Sequence, residues 1–288
     1  MNKTVTVKAP ATSANLGGGF DCLGVALELY HTVTVGFSSE LVIDSIDGKS
    51  SSKNDLLYRS VNAVFKRFGK GDTPVGIVSR SDIPRASGLG SSAACIVAGV
   101  MAANALLNEP LTQKEMINIC AELDGHPDNI LPAIVGGVTA AYKDGDGIGY
   151  LRADVPSGLV FAVATPGFKL KTEKARAALP DSYSRSDCVY SLSRAVVTFG
   201  AFALGKIDML KAVDDRLHQP YRAPLINGYA DVKNAVAAAG AISSCISGAG
   251  PTVIAFFDDE EKAKKTTVPD GWTLRVLRAE QNGAELIR

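Results

Sequence analysis

Ile83-Pro84-Arg85-Ala86-Ser87-Gly88-Leu89-Gly90-Ser91-Ser92-Ala93-Ala94 is the stretch on which the fold turns. Two glycines one residue apart, then two serines, run straight into an alanine-rich segment that predicts a helix over residues 91–107. Glycine lets backbone N–H groups approach an anion with no Cβ in the way. The start of a helix adds unpaired donors and the positive end of the macrodipole. Ser91 and Ser92 add hydroxyls for a phosphate oxygen or for magnesium-bound water. Alone, a G-x-G is also the punctuation of an ordinary turn into a buried helix. The loop is not a Walker A motif, because no G-K-[ST] follows. It is a poor dinucleotide fingerprint, because the third glycine and the acid about twenty positions on are missing.

Composition narrows the setting of that loop. A chain of 288 residues predicts one large unit or two modest ones. Hydrophobic residues make up 46% and charged residues 21%, the balance of a soluble globular enzyme. With 30 basic and 30 acidic side chains, neither a nucleic-acid nor a membrane-surface partner is expected. An anion must therefore be held by local geometry. Cys22, Cys95, Cys120, Cys188 and Cys245 are odd in number, scattered and without a C-x-x-C pair, so a reducing, cytoplasmic setting is expected. His31, His126 and His218 form no i,i+4 pair, which speaks against zinc. Residues 1–10 lack the apolar run of a signal peptide, and the apolar stretch 93–107 is too short to span a bilayer.

Alternating residues predict strands at 4–7, 32–35 and 41–43, a helix over 55–68 and a strand over 75–79. Beyond the glycine loop, Thr112 and Glu115 form a capping-box signature for a second helix. Turn signals gather at Gly136-Gly137 and around 144–149. A strand over 159–165 follows, with Thr172 as a helix N-cap and helices over 187–204, 207–217 and 230–239, the last closed by Gly240. Strands over 242–246, 252–257 and 272–276 finish the chain. Mixed rather than strictly alternating elements predict an α+β fold, divided near residue 155 into units of 1–155 and 156–288.

Pro84, Gly88-Leu89-Gly90-Ser91-Ser92-Ala93 resembles the second motif of the GHMP kinases, the superfamily of galactokinase, homoserine kinase, mevalonate kinase and phosphomevalonate kinase. Three further blocks agree in family order. They are Ala9-Pro10-Ala11-Thr12-Ser13-Ala14-Asn15-Leu16-Gly17-Gly18-Gly19-Phe20-Asp21-Cys22-Leu23-Gly24, then Gly125-His126-Pro127-Asp128-Asn129 with Pro132-Ala133 and Gly136-Gly137, and Ser247-Gly248-Ala249-Gly250-Pro251-Thr252. Within the superfamily these blocks are similar to the homoserine kinase branch. The resemblance implies an N-terminal ATP-binding unit like domain 2 of ribosomal protein S5, with a left-handed β-α-β crossover, and a ferredoxin-like C-terminal unit. It also implies ATP and Mg2+, L-homoserine as the substrate, threonine biosynthesis as the setting, and a homodimer.

The resemblance places the nucleotide phosphates on residues 84–94 and against Ser247, Gly248, Ala249 and Gly250. It places the amino-acid head of the substrate on Asn15, Asp21, His126 and Asn129, with Arg176 and Arg222 for the carboxylate. Charge agrees: a carboxylate such as Asp21 suits an ammonium, and a guanidinium forks onto a carboxylate. Gly18 stands where the family usually has proline, which would loosen that loop. Asp124, with Ser92, is the candidate for magnesium; the family usually has glutamate at 124, and Glu122 is the alternative. Asn129 stands where some related kinases carry an aspartate able to take the hydroxyl proton. An amide cannot, so the expectation is direct in-line transfer driven by orientation, with Thr172 near the reacting hydroxyl. Two rivals stay open on sequence: a mevalonate or sugar kinase, which would need a lysine by the substrate loop and an aspartate at 129, and a sensor that binds ATP without transferring phosphate.

Overall fold

The computed structural model describes residues 3–46, 48–145 and 147–287. Met1 and Asn2 of the 1–10 stretch and Asp146 of the expected 144–149 turn lie outside the described residues. In the first half, Val7, Val33 and Val35 alternate with threonines and are wholly buried. Strands β1 (Thr4–Ala14) and β2 (Leu23–Phe37) pair antiparallel along their length. Their register slips at Pro10/Ala11, the place where a residue without an N–H can sit in a ladder. Next come β3 (Val42–Ser45), β4 (Gly48–Ser50), α1 (Leu56–Arg67) and β5 (Val75–Ser81). Asp55 accepts the Leu57 N–H at 2.9 Å and starts α1. β5 pairs antiparallel with β2 and parallel with β3, so β3, α1 and β5 form a crossover unit.

Helix α2 (Ser91–Leu106) is apolar on every side and buried on every side, packed on β1, β2 and α1. α3 (Gln113–Asp124) opens with the expected capping box: Thr112 Oγ1 accepts from the Glu115 N–H and Glu115 accepts from the Thr112 N–H. α4 (Pro127–Val135) was not legible from periodicity. Pro132 lies inside it and glycines flank it, though Pro127 at its first turn is a favourable starter. A hairpin of β6 (Val138–Asp144) and β7 (Gly147–Ala153) ends this half.

The second half holds β8 (Val160–Pro166), α5 (Thr172–Ala177), α6 (Arg185–Ala203), α7 (Gln219–Arg222), α8 (Tyr229–Ala238), β9 (Ser243–Ile246), β10 (Val253–Phe257), α9 (Glu260–Lys264) and β11 (Trp272–Leu277). Its sheet runs β11-β8-β10-β9, all antiparallel, which is the ferredoxin-like order. The final strand, β12 (Glu285–Ile287), returns to pair with β1 and completes an eight-stranded first sheet. The helix expected over 207–217 is instead a 3₁₀ segment, Ile207–Ala212, followed by a turn. There the Asp215 carboxylate accepts the N–H groups of Leu217, His218 and Gln219, each at 2.7 Å, competing with helical bonding and starting α7. Thr172 is the first helical residue of α5 and Lys171 its N-cap, a one-residue correction. No helix among the described residues is long and apolar enough to cross a membrane.

Candidate active site

Gly90 precedes α2 with φ 65°, and no side chain caps that helix end, so its first N–H groups are available to a ligand. Gly88 has φ 86°; a Cβ there would run into the carbonyl oxygen of Ser247 and stand 2.9 Å from that of Gly250. The close approach is bonded. Ser247 Oγ donates to the Gly88 carbonyl at 2.7 Å and pairs with Ser13 Oγ at 2.8 Å. The Gly248 N–H donates to the Ala14 carbonyl at 2.9 Å, and the Thr252 N–H to that of Ser87 at 3.1 Å. The β9–β10 loop of the second sheet therefore braces the glycine loop of the first. Leu89 and Ala94 face the core, and Ser87 Oγ turns back to Pro84. Ala86, Ser87, Gly88, Gly90, Ser91, Ser92 and Ala93 edge a cavity of about 470 Å³.

The other walls of that cavity come from six places. The end of α3 gives Asp124, the start of α4 gives His126, Asp128 and Asn129, and the loop after β1 gives Asn15. α5 gives Thr172 and Arg176, α7 gives Arg222, and the β9–β10 loop gives Gly248 and Ala249. Arg85 borders a neighbouring cavity of about 410 Å³, which shares Ala86, Ser91 and Ser92 with the first. Glu122 is exposed and lines neither.

Asp21 is bound to Arg176 by a two-pronged fork, at 2.7 and 3.1 Å, rather than standing alone. Arg176 keeps a buried Nε with no partner among the described residues. Arg222 is 1% exposed and donates to the carbonyls of Gly248 at 3.1 Å and Ala175 at 3.4 Å. Burial, with Arg176 pushing the same way, lowers its pKa. Both guanidiniums lie over the Phe20 ring, at 5.7 and 5.1 Å, and Phe20 stacks on His218. Two cations converging on one ring beside an orphaned donor make a seat for an anion.

Asn15 is spent inside the protein: its Oδ1 accepts the Asp21 N–H at 2.8 Å, and its Nδ2 donates to the Gly248 carbonyl at 2.9 Å. It thus ties the glycine-rich loop after β1 to the brace. Gly18 does not leave the loop loose, because a Cβ there would collide with the Ser191 carbonyl and lie 3.1 Å from the Ala195 nitrogen on α6. The missing proline makes room for that helix. Asn129 Oδ1 accepts from Thr12 Oγ1 at 2.7 Å, which leaves the amide NH2 for the cavity.

Asp124 accepts from Ser92 Oγ at 3.1 Å, and burial raises its carboxyl pKa. Carboxylate and hydroxyl oxygens are donors that magnesium takes, and it needs only one or two from protein. Among the described residues no three His, Cys, Asp or Glu side chains cluster as a metal cage, so phosphate and water would complete the shell. Asp128, to which sequence alone assigned no role, is 2% exposed beside Asn129. Burial first, then the charges of Asp21 and Asp124, push its carboxyl up to about 7. Its signal was Pro127, which starts the helix that turns the acid inward. Phe20 gave no signal beyond its place in a glycine-rich loop.

Residues 55–137 match the model of the GHMP kinases N terminal domain, and residues 199–266 that of the GHMP kinases C terminal. A homoserine kinase of Clostridium acetobutylicum is 40% identical, over 98% of this chain and 100% of that one. The chain belongs to the homoserine kinases of the GHMP superfamily. A homoserine kinase of Moorella thermoacetica agrees at 43% identity over 87% of this chain and 86% of its own length. The crystal structure of a homoserine kinase from Cytophaga hutchinsonii superposes with a TM-score of 0.89 at 28% identity, covering 100% of this chain and 98% of that one. The two-unit α+β fold expected from the four sequence blocks is the homoserine kinase fold.

Proposed function

We infer that the chain phosphorylates the side-chain hydroxyl of L-homoserine with ATP, committing it to threonine synthesis. The observation that carries this is one cavity with a phosphate cradle at one end and a buried carboxylate, Asp128, with two converging arginines at the other. A zwitterion with a short hydroxylated arm spans those ends. Arg176 and Arg222 take its carboxylate, and Asp128 and Asp21 face its ammonium. Mevalonate and sugars have no ammonium to set against the two acids.

The neighbouring cavity takes the nucleoside, and its shared edge of Ala86, Ser91 and Ser92 delivers the phosphates to the α2 N-terminus. Asp124 and Ser92 would hold magnesium. When bound, the ion neutralises phosphate charge. Gly88, Gly90 and the first N–H groups of α2 hold the γ-phosphoryl in line with the homoserine hydroxyl. Thr172 and the Asn129 amide orient that hydroxyl. No strong base stands at Asn129, so positioning and charge stabilisation do the work. Production of a phosphate monoester from homoserine and ATP, followed by 31P NMR, tests the assignment; a phosphate signal from hydrolysis alone would count against it.

If orientation suffices, Asn129→Asp gives no gain in turnover. A substantial rise in kcat at unchanged homoserine KM would show that the amide withholds a base.

Asp128 supplies a pH test. Only its ionised form attracts the ammonium, so with a carboxyl near 7 the KM for homoserine rises about tenfold between pH 8 and pH 6. Asp128→Asn weakens binding at pH 8 and abolishes the slope. A slope in kcat instead would mean that Asp128 takes the hydroxyl proton. The stability sign is the opposite. A carboxyl raised in the folded state favours folding at low pH, so without ligands stability declines as pH rises from the ordinary carboxylate range to about 7.

We propose a division near residue 155, with β12 crossing back to the first sheet. A homodimer is supported by the stripe of Val189, Leu192 and Val196 exposed along α6, and light scattering would reveal a monomer if it is wrong. Five free cysteines fit a cytoplasmic setting.

A further inference from the structure

The nucleoside cavity holds a polar pair that the transfer chemistry leaves unused. His31 on β2 and Ser79 on β5 are each 5% exposed, and His31 Nε2 lies 2.8 Å from Ser79 Oγ. His31 Nδ1 is buried with no partner among the described residues. Buried polar atoms nearly always find a partner, so an orphan lining a cavity marks where a ligand group belongs. Burial, aided by the charge of Arg85, holds the imidazole near pKa 4, so the ring is neutral at cellular pH. A neutral ring bonded to a hydroxyl that can donate or accept presents Nδ1 in either tautomer, as donor to a ring nitrogen or acceptor from an exocyclic amine.

The cavity offers both apolar and polar surface. His31, Ser79 and Ser81 line it together with Ile43, Leu56 and Leu57. Ile43, Leu56 and Leu57 give a planar heteroaromatic base an apolar surface to lie on, and His31, Ser79 and Ser81 give its edge polar partners. Ser92, on the edge shared with the phosphate cradle, is exposed, whereas His31 and Ser79 are buried. A nucleotide with its phosphates on the cradle would turn its base toward the buried pair.

We propose that His31 reads the base of the phosphoryl donor, its Nδ1 hydrogen-bonding the base edge while Ser79 fixes the ring through Nε2. The proposal rests on assigning the nucleoside to this cavity. The experiment measures kcat and both KM values for His31→Gln and His31→Asn. Glutamine sets its amide where Nε2 stands, keeping the Ser79 bond and losing the base contact. Asparagine sets its amide where Nδ1 stands and restores the contact. The expected result is an ATP KM raised about five- to tenfold in His31→Gln, the scale of one neutral hydrogen bond. In His31→Asn it stays within about twofold, and kcat and homoserine KM hold in both. Equal damage from both, or none from glutamine, overturns the role.

Two companion arms separate the failures. Ser50→Trp, at the exposed rim of the same cavity, raises the ATP KM if the nucleoside binds there. If it does not, the cavity assignment falls and the His31 role with it. If it does while His31→Gln is silent, only the His31 role falls. Should either His31 variant fail to fold, the unaltered enzyme decides with 1-deaza-ATP, 7-deaza-ATP and purine riboside triphosphate. At least one must show a KM raised fivefold or more. Equal KM for all three and ATP overturns the base contact.

Discussion

Arg222→Met lowers kcat/KM for homoserine by about a thousandfold, while ATP binding in the absence of homoserine changes by less than about threefold. Arg222 is almost wholly buried and its hydrogen bonds run to two carbonyls and to His218, not to a carboxylate. A charge in that position without a bonded acid is a large part of the seat for a substrate carboxylate. Charge-assisted bonds in a desolvated cavity are worth roughly 1.5–3 kcal/mol each, and losing two matches a factor near a thousand. Methionine keeps much of the volume, so the loss reports charge and hydrogen bonding rather than collapse. Arg222→Lys recovers only part of the activity, since an ammonium cannot fork. A loss below tenfold in Arg222→Met would move the carboxylate site elsewhere.

Gly88→Ala lowers ATP turnover about a hundredfold and costs about 2–3 kcal/mol of stability. Two independent penalties act at this position. At φ 86° an L side chain is strained, and its Cβ would press on the Ser247 carbonyl, which accepts the Gly250 N–H inside the brace loop. For a chain of this size the stability loss appears as a drop in Tm of roughly 5–10 °C. Gly205→Ala is the control for strain alone, because its φ is 65° and nothing lies within 4 Å of a Cβ there. Its cost is about 1 kcal/mol, with turnover unchanged. If Gly88→Ala behaved like that control, the contact between the two loops would not set the phosphate site.

Much of the molecule was legible because its signals are local. Thr112 and Glu115 announce a capping box, Val5 and Val7 announce an alternating strand, and glycines 88 and 90 announce backbone that no side chain can block. The order of four sequence blocks carried the family. What periodicity did not reveal depends on contacts between distant segments. Asp215 stops a helix by accepting three N–H groups that lie ahead of it in the chain. Asp128 is indistinguishable from a surface acid until α4 turns it inward. Asp21 and Arg176 were each expected to face a zwitterion, and the structure binds these two side chains, 155 positions apart, to each other. Their pairing sets one charge against the other in the protein itself. The crowding of Gly18 against α6 is equally a matter of tertiary approach.

The measurement that bears most directly on the whole account is ADP release from purified protein and Mg-ATP with homoserine, serine, threonine, mevalonate and galactose offered separately. The expected result is turnover with homoserine at least a hundredfold above any other alcohol at equal concentration. Preference for a different alcohol would leave the fold and the phosphate loop in place and contradict the roles given to Arg176, Arg222 and Asp128. ATP binding with no turnover on any of the five would contradict the enzyme assignment itself.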